Sequence, residues 1–287
     1  MRLAPSFEFA SQAGEVAREA GRLLLTYFRG AWLAGDSGAP AAHIRIEYKG
    51  DVDLVTEADR RSEELIVGRI RERWPGHGIL GEEGTRTQPG SEYQWYVDPL
   101  DGTTNFAHGY PVFCVSLGLA RSGELISGAI YDPTRDELFA AEKGAGAWLN
   151  GNRIVVSPVK ALAESLLGTG FPSKKRHNNP NIHFYQHLTL RSHGVRRAGS
   201  AALDLACVAC GRYDGFWEFN LNPWDTSAGV VLVREAGGMV SDFSGGEFDI
   251  ASHEVCASNG RIHPELLREF ARVFAGTDLE PLPKAGA

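Results

Sequence analysis

The chain has 287 residues, 43% of them hydrophobic and 23% charged, and a formal net charge of −7 from 36 acidic and 29 basic residues. That composition fits a globular protein and excludes the disordered and fibrous classes. The acidic balance argues against nucleic acid as a partner, since non-specific binding rests on a basic surface.

No apolar run approaches the roughly 20 residues that span a bilayer, so no membrane partner is expected. The early stretch Leu23–Phe28 follows Glu15, Arg18, Glu19 and Arg22. Such flanks suit an amphipathic helix better than a signal peptide, and a cytoplasmic protein is expected.

In chain order, Phe9, Ala13, Val16, Ala17, Ala20, Leu24 and Phe28 recur every three or four residues and predict a first helix. A Gly-rich segment from Gly30 to Ala42 reads as a mobile loop. A second helix starts at Thr56, where Thr-Glu-Ala-Asp has capping-box spacing, and stops at Trp74-Pro75-Gly76. Short strand candidates follow at 78–81, 94–97, 113–117, 126–130 and 137–141. Asp132-Pro133 and Asn150-Gly151 mark turns between them, the pattern of an antiparallel sheet.

The second half alternates: strands at 166–168, 215–217 and 255–258, and helices at 181–192, 201–210, 226–235 and 264–274. The fold class expected is α/β (α+β), with an antiparallel sheet in the N-terminal half and a second, mixed sheet in the C-terminal half. One continuous unit over 1–287 is expected, with lobes 1–160 and 161–277 and a loose tail at 278–287.

Cys207 and Cys210 form a Cys-x-x-Cys inside an apolar helix, with no second pair to complete a zinc site. They and Cys114 and Cys256 read as buried structural thiols. His183 and His187 lie four apart but lack a Glu-x-x-His companion, so packing or surface roles are expected.

Three segments place carboxylates where regular elements meet loops: Gly81-Glu82-Glu83-Gly84, Asp98 to Asn105, and Pro223-Trp224-Asp225. Each alone has a bland reading as a turn, a solvated loop or a helix cap. Together they supply the oxygen donors that Mg²⁺ prefers. Asp98 ends a strand candidate, Pro99 restricts the backbone, and Asp101 can be brought to the same side with the Leu100 carbonyl between. Gly102-Thr103-Thr104 then offers consecutive N–H groups that can cradle a phosphate.

The run Asp98-Pro99-Leu100-Asp101-Gly102-Thr103-Thr104-Asn105-Phe106 resembles the first signature of the inositol monophosphatase family. Trp224-Asp225-Thr226-Ser227-Ala228-Gly229, continued by Glu235-Ala236-Gly237-Gly238, resembles its second. Val52-Asp53-Leu54-Val55-Thr56-Glu57-Ala58-Asp59 and Gly81-Glu82-Glu83 match two further blocks, and the order holds over nearly the whole chain.

The resemblance implies a layered αβαβα sandwich and an Mg²⁺-dependent hydrolase of a small phosphorylated alcohol. It implies one Mg²⁺ on Glu82, Asp98 and the Leu100 carbonyl, a second on Asp98, Asp101 and Asp225, and a third, weaker ion near Glu82. Asp59 and Thr103 would orient or activate the attacking water, with Glu82 among the catalytic residues. Gly102 and Thr103 would bind phosphate; Ala201, Glu218 and Asp101 would contact the alcohol. Lys49 is the counterpart of a family lysine, although Tyr48 fills that slot under the stricter spacing. Asp53 reads as a structural residue beside a helix start. A homodimer and inhibition by Li⁺ are further implications.

Inositol monophosphate is the first substrate expectation. Histidinol phosphate, a sugar bisphosphate and a phosphoadenosine nucleotide are the alternatives, because fold alone does not choose among substrates. A binding protein retaining the fold is the rival from another class. Ser200, Thr103 and the cysteines lack an adjacent histidine in sequence, which favours direct attack by water over a covalent intermediate.

Overall fold

The structure is a computed structural model that describes residues 7–32, 46–48, 54–171 and 180–277. Lys49, Asp53, most of the Gly30–Ala42 segment and the 278–287 tail therefore lie outside the described residues.

Helix α1 (Glu8–Trp32) buries Ala13, Val16, Ala17, Ala20, Leu24 and Phe28 on one face, as their spacing predicts. It runs through Gly30 to Trp32, so the first residues of the segment expected as a loop are helical. A strand pair, β1 (Ile46–Tyr48) and β2 (Leu54–Thr56), leads into α2 (Glu57–Arg73). Both helices pack on one face of an eight-stranded sheet.

That sheet contains β3 (Gly78–Gly81), β4 (Arg86–Thr87), β5 (Tyr93–Asp101), β6 (Cys114–Arg121), β7 (Glu124–Asp132), β8 (Glu137–Glu142), β9 (Gly146–Leu149) and β10 (Asn152–Ile154). Its order is β10-β9-β8-β7-β6-β5-β3-β4. The pairs are antiparallel except β3 with β5. Asn150 and Gly151, both at positive φ, make the tight turn between β9 and β10. A short helix, α3 (Thr103–Ala107), leaves the end of β5.

The second half contains β11 (Leu166–Thr169), α4 (Asn181–Thr189), β12 (Gly194–Arg196), α5 (Ala201–Ala209), β13 (Gly215–Phe219), α6 (Pro223–Glu235), β14 (Met239–Ser241), β15 (Glu254–Ser258) and α7 (His263–Ala275). Its sheet, β12-β11-β13-β15-β14, is mixed: β12, β11 and β13 are parallel, and β15 is antiparallel to both neighbours.

Helices α5 and α6 lie between the two sheets, while α4 and α7 cover the far face of the second. The result is the αβαβα sandwich. Close approach of α6 requires Gly128: a Cβ there would lie 2.5 Å from the Ala228 carbonyl oxygen.

Several boundaries differ from the sequence reading, most of the strands running longer than expected, and two helix ends have a local cause. Helix α6 begins at Pro223 instead of Thr226, because proline at the first helical position costs no hydrogen bond. Helix α4 ends at Thr189, and the Ser192 hydroxyl donates to the Leu188 carbonyl at 2.8 Å beyond its end. The three-residue strands β10, β12 and β14 escaped the sequence pattern. All four cysteines are free, with Cys114 and Cys256 buried as expected. Cys207 and Cys210 are only half-buried, which corrects the fully buried expectation. His187 packs as expected, its Nε2 lying 2.6 Å from a Glu269 carboxylate oxygen.

Candidate active site

The site begins with an irregularity in β5. Asp98 pairs with Ser116, but Asp101 pairs with Cys114, so β5 carries one extra residue over this stretch. Such a bulge re-aims the side chains around it. Asp98 is 1% exposed, and its Oδ1 accepts the Leu100 N–H at 3.0 Å. The Ser62 hydroxyl donates to the Pro99 carbonyl at 2.8 Å and ties the bulge to α2.

Gly102 then takes φ 95° at the start of α3, where a Cβ would sit 2.8 Å from the Val112 carbonyl oxygen. Only glycine fits that corner. The corner presents the first N–H groups of α3, which lack partners within the helix by construction. The Thr103 hydroxyl lies 3.1 Å from Asp59 Oδ1, in the first turn of α2, and 3.0 Å from the Leu100 carbonyl.

Three further segments converge on this strand end. The parallel register of β3 and β5 sets Gly81 beside Val97, and the Glu82 N–H donates to the Val97 carbonyl at 3.1 Å. The Glu82 carboxyl thereby meets that of Asp98. Asp101 Oδ2 accepts the Ser200 hydroxyl at 2.6 Å and the Ala202 N–H at 2.8 Å, at the N-terminus of α5. The Ala201 N–H also points to this carboxylate. Asp225, in the first turn of α6, accepts the Asn222 N–H on Oδ2 at 2.6 Å, completing a capping box. It therefore does cap the helix, as its bland reading had it, while also facing Asp98 and Glu218.

Electrostatics follow from that crowding. Burial raises the Asp98 carboxyl well above its ordinary range, and Glu82, Asp101 and Asp225 push it further up. Burial also raises Asp101, opposed by the donors on Ser200, Ala202 and Ala201. Glu218, buried on β13, is raised well above normal by burial and then by Asp225 and Asp101; Arg197 acts the other way.

Several carboxylates this close repel one another unless countercharge arrives. An all-oxygen set fits a hard divalent cation. Among the described residues no group of three or more aspartate, glutamate, histidine or cysteine side chains is arranged to hold a metal ion by itself. Mg²⁺ ordinarily keeps several waters and substrate oxygens beside one or two carboxylates, so a Mg²⁺ site need not be a closed protein cage.

Of the residues singled out in the sequence, Glu82, Asp98, Asp101 and Asp225 share one electrostatic cluster. Thr103 joins Asp59 and the Leu100 carbonyl to it, and Glu218 borders it from the second sheet. Lys49 is outside the described residues.

Three residues near the site were given no role of their own by sequence reasoning. Asn105 Nδ2 donates to the Val112 carbonyl at 2.8 Å and the Ala198 carbonyl at 2.9 Å, latching the signature run to the segment before α5. Glu63 accepts three hydrogen bonds from the Glu82 turn. Asp204 lies buried in α5 with Oδ2 unpartnered among the described residues. A polar residue on an otherwise apolar helix, as in Ala201–Ala209, was the available signal for Asp204.

A layered αβαβα frame whose strand and helix ends gather carboxylates beside the first N–H groups of a short helix fits a class of metal-dependent phosphoric monoester hydrolases. A profile of the "Inositol monophosphatase family" matches residues 7–274. The chain is 48% identical over 233 residues to an inositol-1-monophosphatase of Synechocystis sp., covering 79% of this chain and 80% of that one. It is 46% identical to "Nus factor SuhB" of Pseudomonas aeruginosa, covering 78% and 85%. The solved inositol monophosphatase from Anabaena (Nostoc) sp. superposes with a TM-score of 0.81 at 43% identity, covering 92% and 95%.

The chain belongs to the inositol monophosphatase family. It is a phosphatase of the metal-dependent kind that the family comprises.

Proposed function

We propose that the protein hydrolyses inositol monophosphate to inositol and phosphate, using Mg²⁺ and direct in-line attack by water. The observation that carries this reading is the convergence of Glu82, Asp101 and Asp225 on the buried Asp98 carboxyl. The substrate choice is supported by similarity to inositol-1-monophosphatases of Synechocystis sp. and Mesorhizobium japonicum.

In this reading Glu82, Asp98 and the Leu100 carbonyl hold one Mg²⁺, Asp98, Asp101 and Asp225 hold another, and a third binds weakly near Glu82. When bound, the ions supply nucleophile activation, neutralisation of the phosphoryl oxygens and stabilisation of the leaving alkoxide. The protein's own groups then orient the reaction. N–H groups at Gly102 and Thr103 receive phosphate oxygens. Thr103, donating to Asp59, accepts a hydrogen bond from the attacking water and fixes its line of approach. The new bond joins water oxygen to phosphorus, the ester P–O bond breaks, and the alcohol departs with a proton. Glu218 and the Ala201 turn border the space for the alcohol, and Lys49 is taken as a further substrate contact.

A panel of phosphate monoesters, assayed with and without Mg²⁺, tests this. Inositol monophosphate should be preferred, activity should vanish in EDTA, and Asp98→Asn should be inactive. Activity surviving EDTA would defeat the metal reading, and preference for histidinol phosphate would overturn the substrate alone. A phosphoryl-enzyme trapped by rapid quench would defeat direct attack by water. The same reading carries a cytoplasmic homodimer inhibited by Li⁺.

The name of the P. aeruginosa relative supports a second reading, a Nus-factor role beside catalysis. Under that role a pulled-down partner is retained by Asp98→Asn.

A further inference from the structure

Glu63 lies on α2, 4% exposed, and faces the turn between β3 and β4. Its Oε2 accepts the Glu83 N–H at 2.9 Å. Its Oε1 accepts the Thr85 N–H at 3.1 Å and the Thr85 hydroxyl at 2.6 Å. A buried carboxylate is tolerated only when its lone pairs are satisfied. Here all three of these donors come from one turn, on the two sides of Gly84 and directly after Glu82.

Space has been made for that carboxylate. A Cβ on Gly81 would lie 2.4 Å from Glu63 Oε2, so the strand end before the turn must be glycine for the carboxylate to reach it. On the same side a cavity of about 420 Å³ opens, lined by Arg60, Glu63, Arg71, Glu83 and Thr85 among others. Among the turn's anchors are the Glu82 N–H to Val97 on the β5 side, its own backbone bonds, and Glu63 on the α2 side.

We propose that Glu63 is a positioning residue for metal binding: it sets the Glu82 turn without itself reaching the ion. Groups that orient metal ligands typically change metal affinity about 10- to 100-fold when altered. Glutamine has the same shape as glutamate but presents an NH₂ where one of the donors must be received. Glu63→Gln therefore breaks one side of the tether and leaves the volume filled. The inference rests on Glu82 being a ligand, and the test separates the two claims.

Calorimetric titration of Mg²⁺ into the full chain, for the wild type, Glu82→Gln, Glu63→Gln and Thr85→Val, provides that test. Weakening of roughly tenfold is expected for Glu63→Gln, with a smaller weakening for Thr85→Val. Turnover by Glu63→Gln should return toward the wild-type kcat at saturating Mg²⁺, with the substrate KM unchanged, which a general packing defect would not produce. Should Glu82→Gln bind Mg²⁺ like the wild type, the ligand assignment falls, and this inference with it. Weakening in Glu82→Gln alone, with Glu63→Gln and Thr85→Val unaltered, overturns only the positioning role. If Glu63→Gln does not fold, wild-type Mg²⁺ affinity in Thr85→Val overturns it.

Discussion

Thr103 carries one hydroxyl proton and has two acceptors in reach, Asp59 Oδ1 at 3.1 Å and the Leu100 carbonyl at 3.0 Å. It can satisfy only one at a time. If a cation takes the Leu100 carbonyl, the proton turns to Asp59 and leaves a lone pair of Thr103 to receive the attacking water. Thr103→Val keeps the shape and removes the relay, and should lower kcat by ~10²–10⁴. Thr103→Ser should keep most of it, and steady-state rates at saturating Mg²⁺ decide between them.

Asp204 offers a separate test of burial. It is 2% exposed, and burial raises its carboxyl well above normal, with Glu218 and Asp101 adding to the rise and Arg197 opposing it. A folded pKa above the unfolded one means that the native state holds a proton which the unfolded chain has released. Stability is therefore full below the unfolded value of about 3.9 and falls as pH rises toward the folded one, by up to about 1.4 kcal/mol per unit. Asp204→Asn removes that dependence. Its melting temperature should gain on the wild type as pH rises from 4 and level off above the folded pKa, and a constant difference from pH 4 upward would refute the raised value.

Among elements, the decisive contact is α6 against the large sheet. Asp225 rides in the first turn of that helix, so its position relative to Asp98 depends on how closely α6 approaches β7. A Cβ at Gly128 meets the backbone of Ala228, which cannot rotate away as a side chain could. Gly128→Ala should destabilise by about 3 kcal/mol and lower Tm by roughly 5–10 °C. It should also weaken Mg²⁺ binding by displacing Asp225; a thermal melt and a metal titration on one sample check both.

How much was legible follows from the same geometry. The helical periodicity of α1, the turn at Asn150-Gly151 and the mixture of sheets could be read because local sequence dictates them. Strands β10, β12 and β14 could not, since three residues carry no readable alternation and they form only through pairing with distant neighbours. Within the site, Asp98, Asp101 and Thr103 announced themselves by lying in one run. Glu63 looked like any glutamate on a charged helix, and nothing in its surroundings predicts three donors from a turn twenty residues on.

For the molecule as a whole, a net charge of −7 opposes both an anionic substrate and the gathering of four carboxylates at one strand end. Distant surface charges are screened beyond about 8 Å at physiological salt, so the nearby cluster dominates the field that a phosphate meets. A divalent ion bound to the folded chain reverses that local field and relieves repulsion that the unfolded chain does not have. Folding and metal binding are then linked: an ion that binds only the native state stabilises it by about 2.7 kcal/mol at a hundred times its dissociation constant. Thermal melts in EDTA should therefore shift upward on adding Mg²⁺ and level off at saturation. An equal ionic strength of NaCl should not reproduce the shift, because screening does not place charge among buried oxygens. Asp98→Asn should already melt higher than the wild type in EDTA, having lost one of the opposed charges, and should respond less to Mg²⁺. A wild-type shift matched by NaCl, or an unchanged Mg²⁺ response in Asp98→Asn, would mean that the acidic cluster is not where the ion exerts its effect on folding.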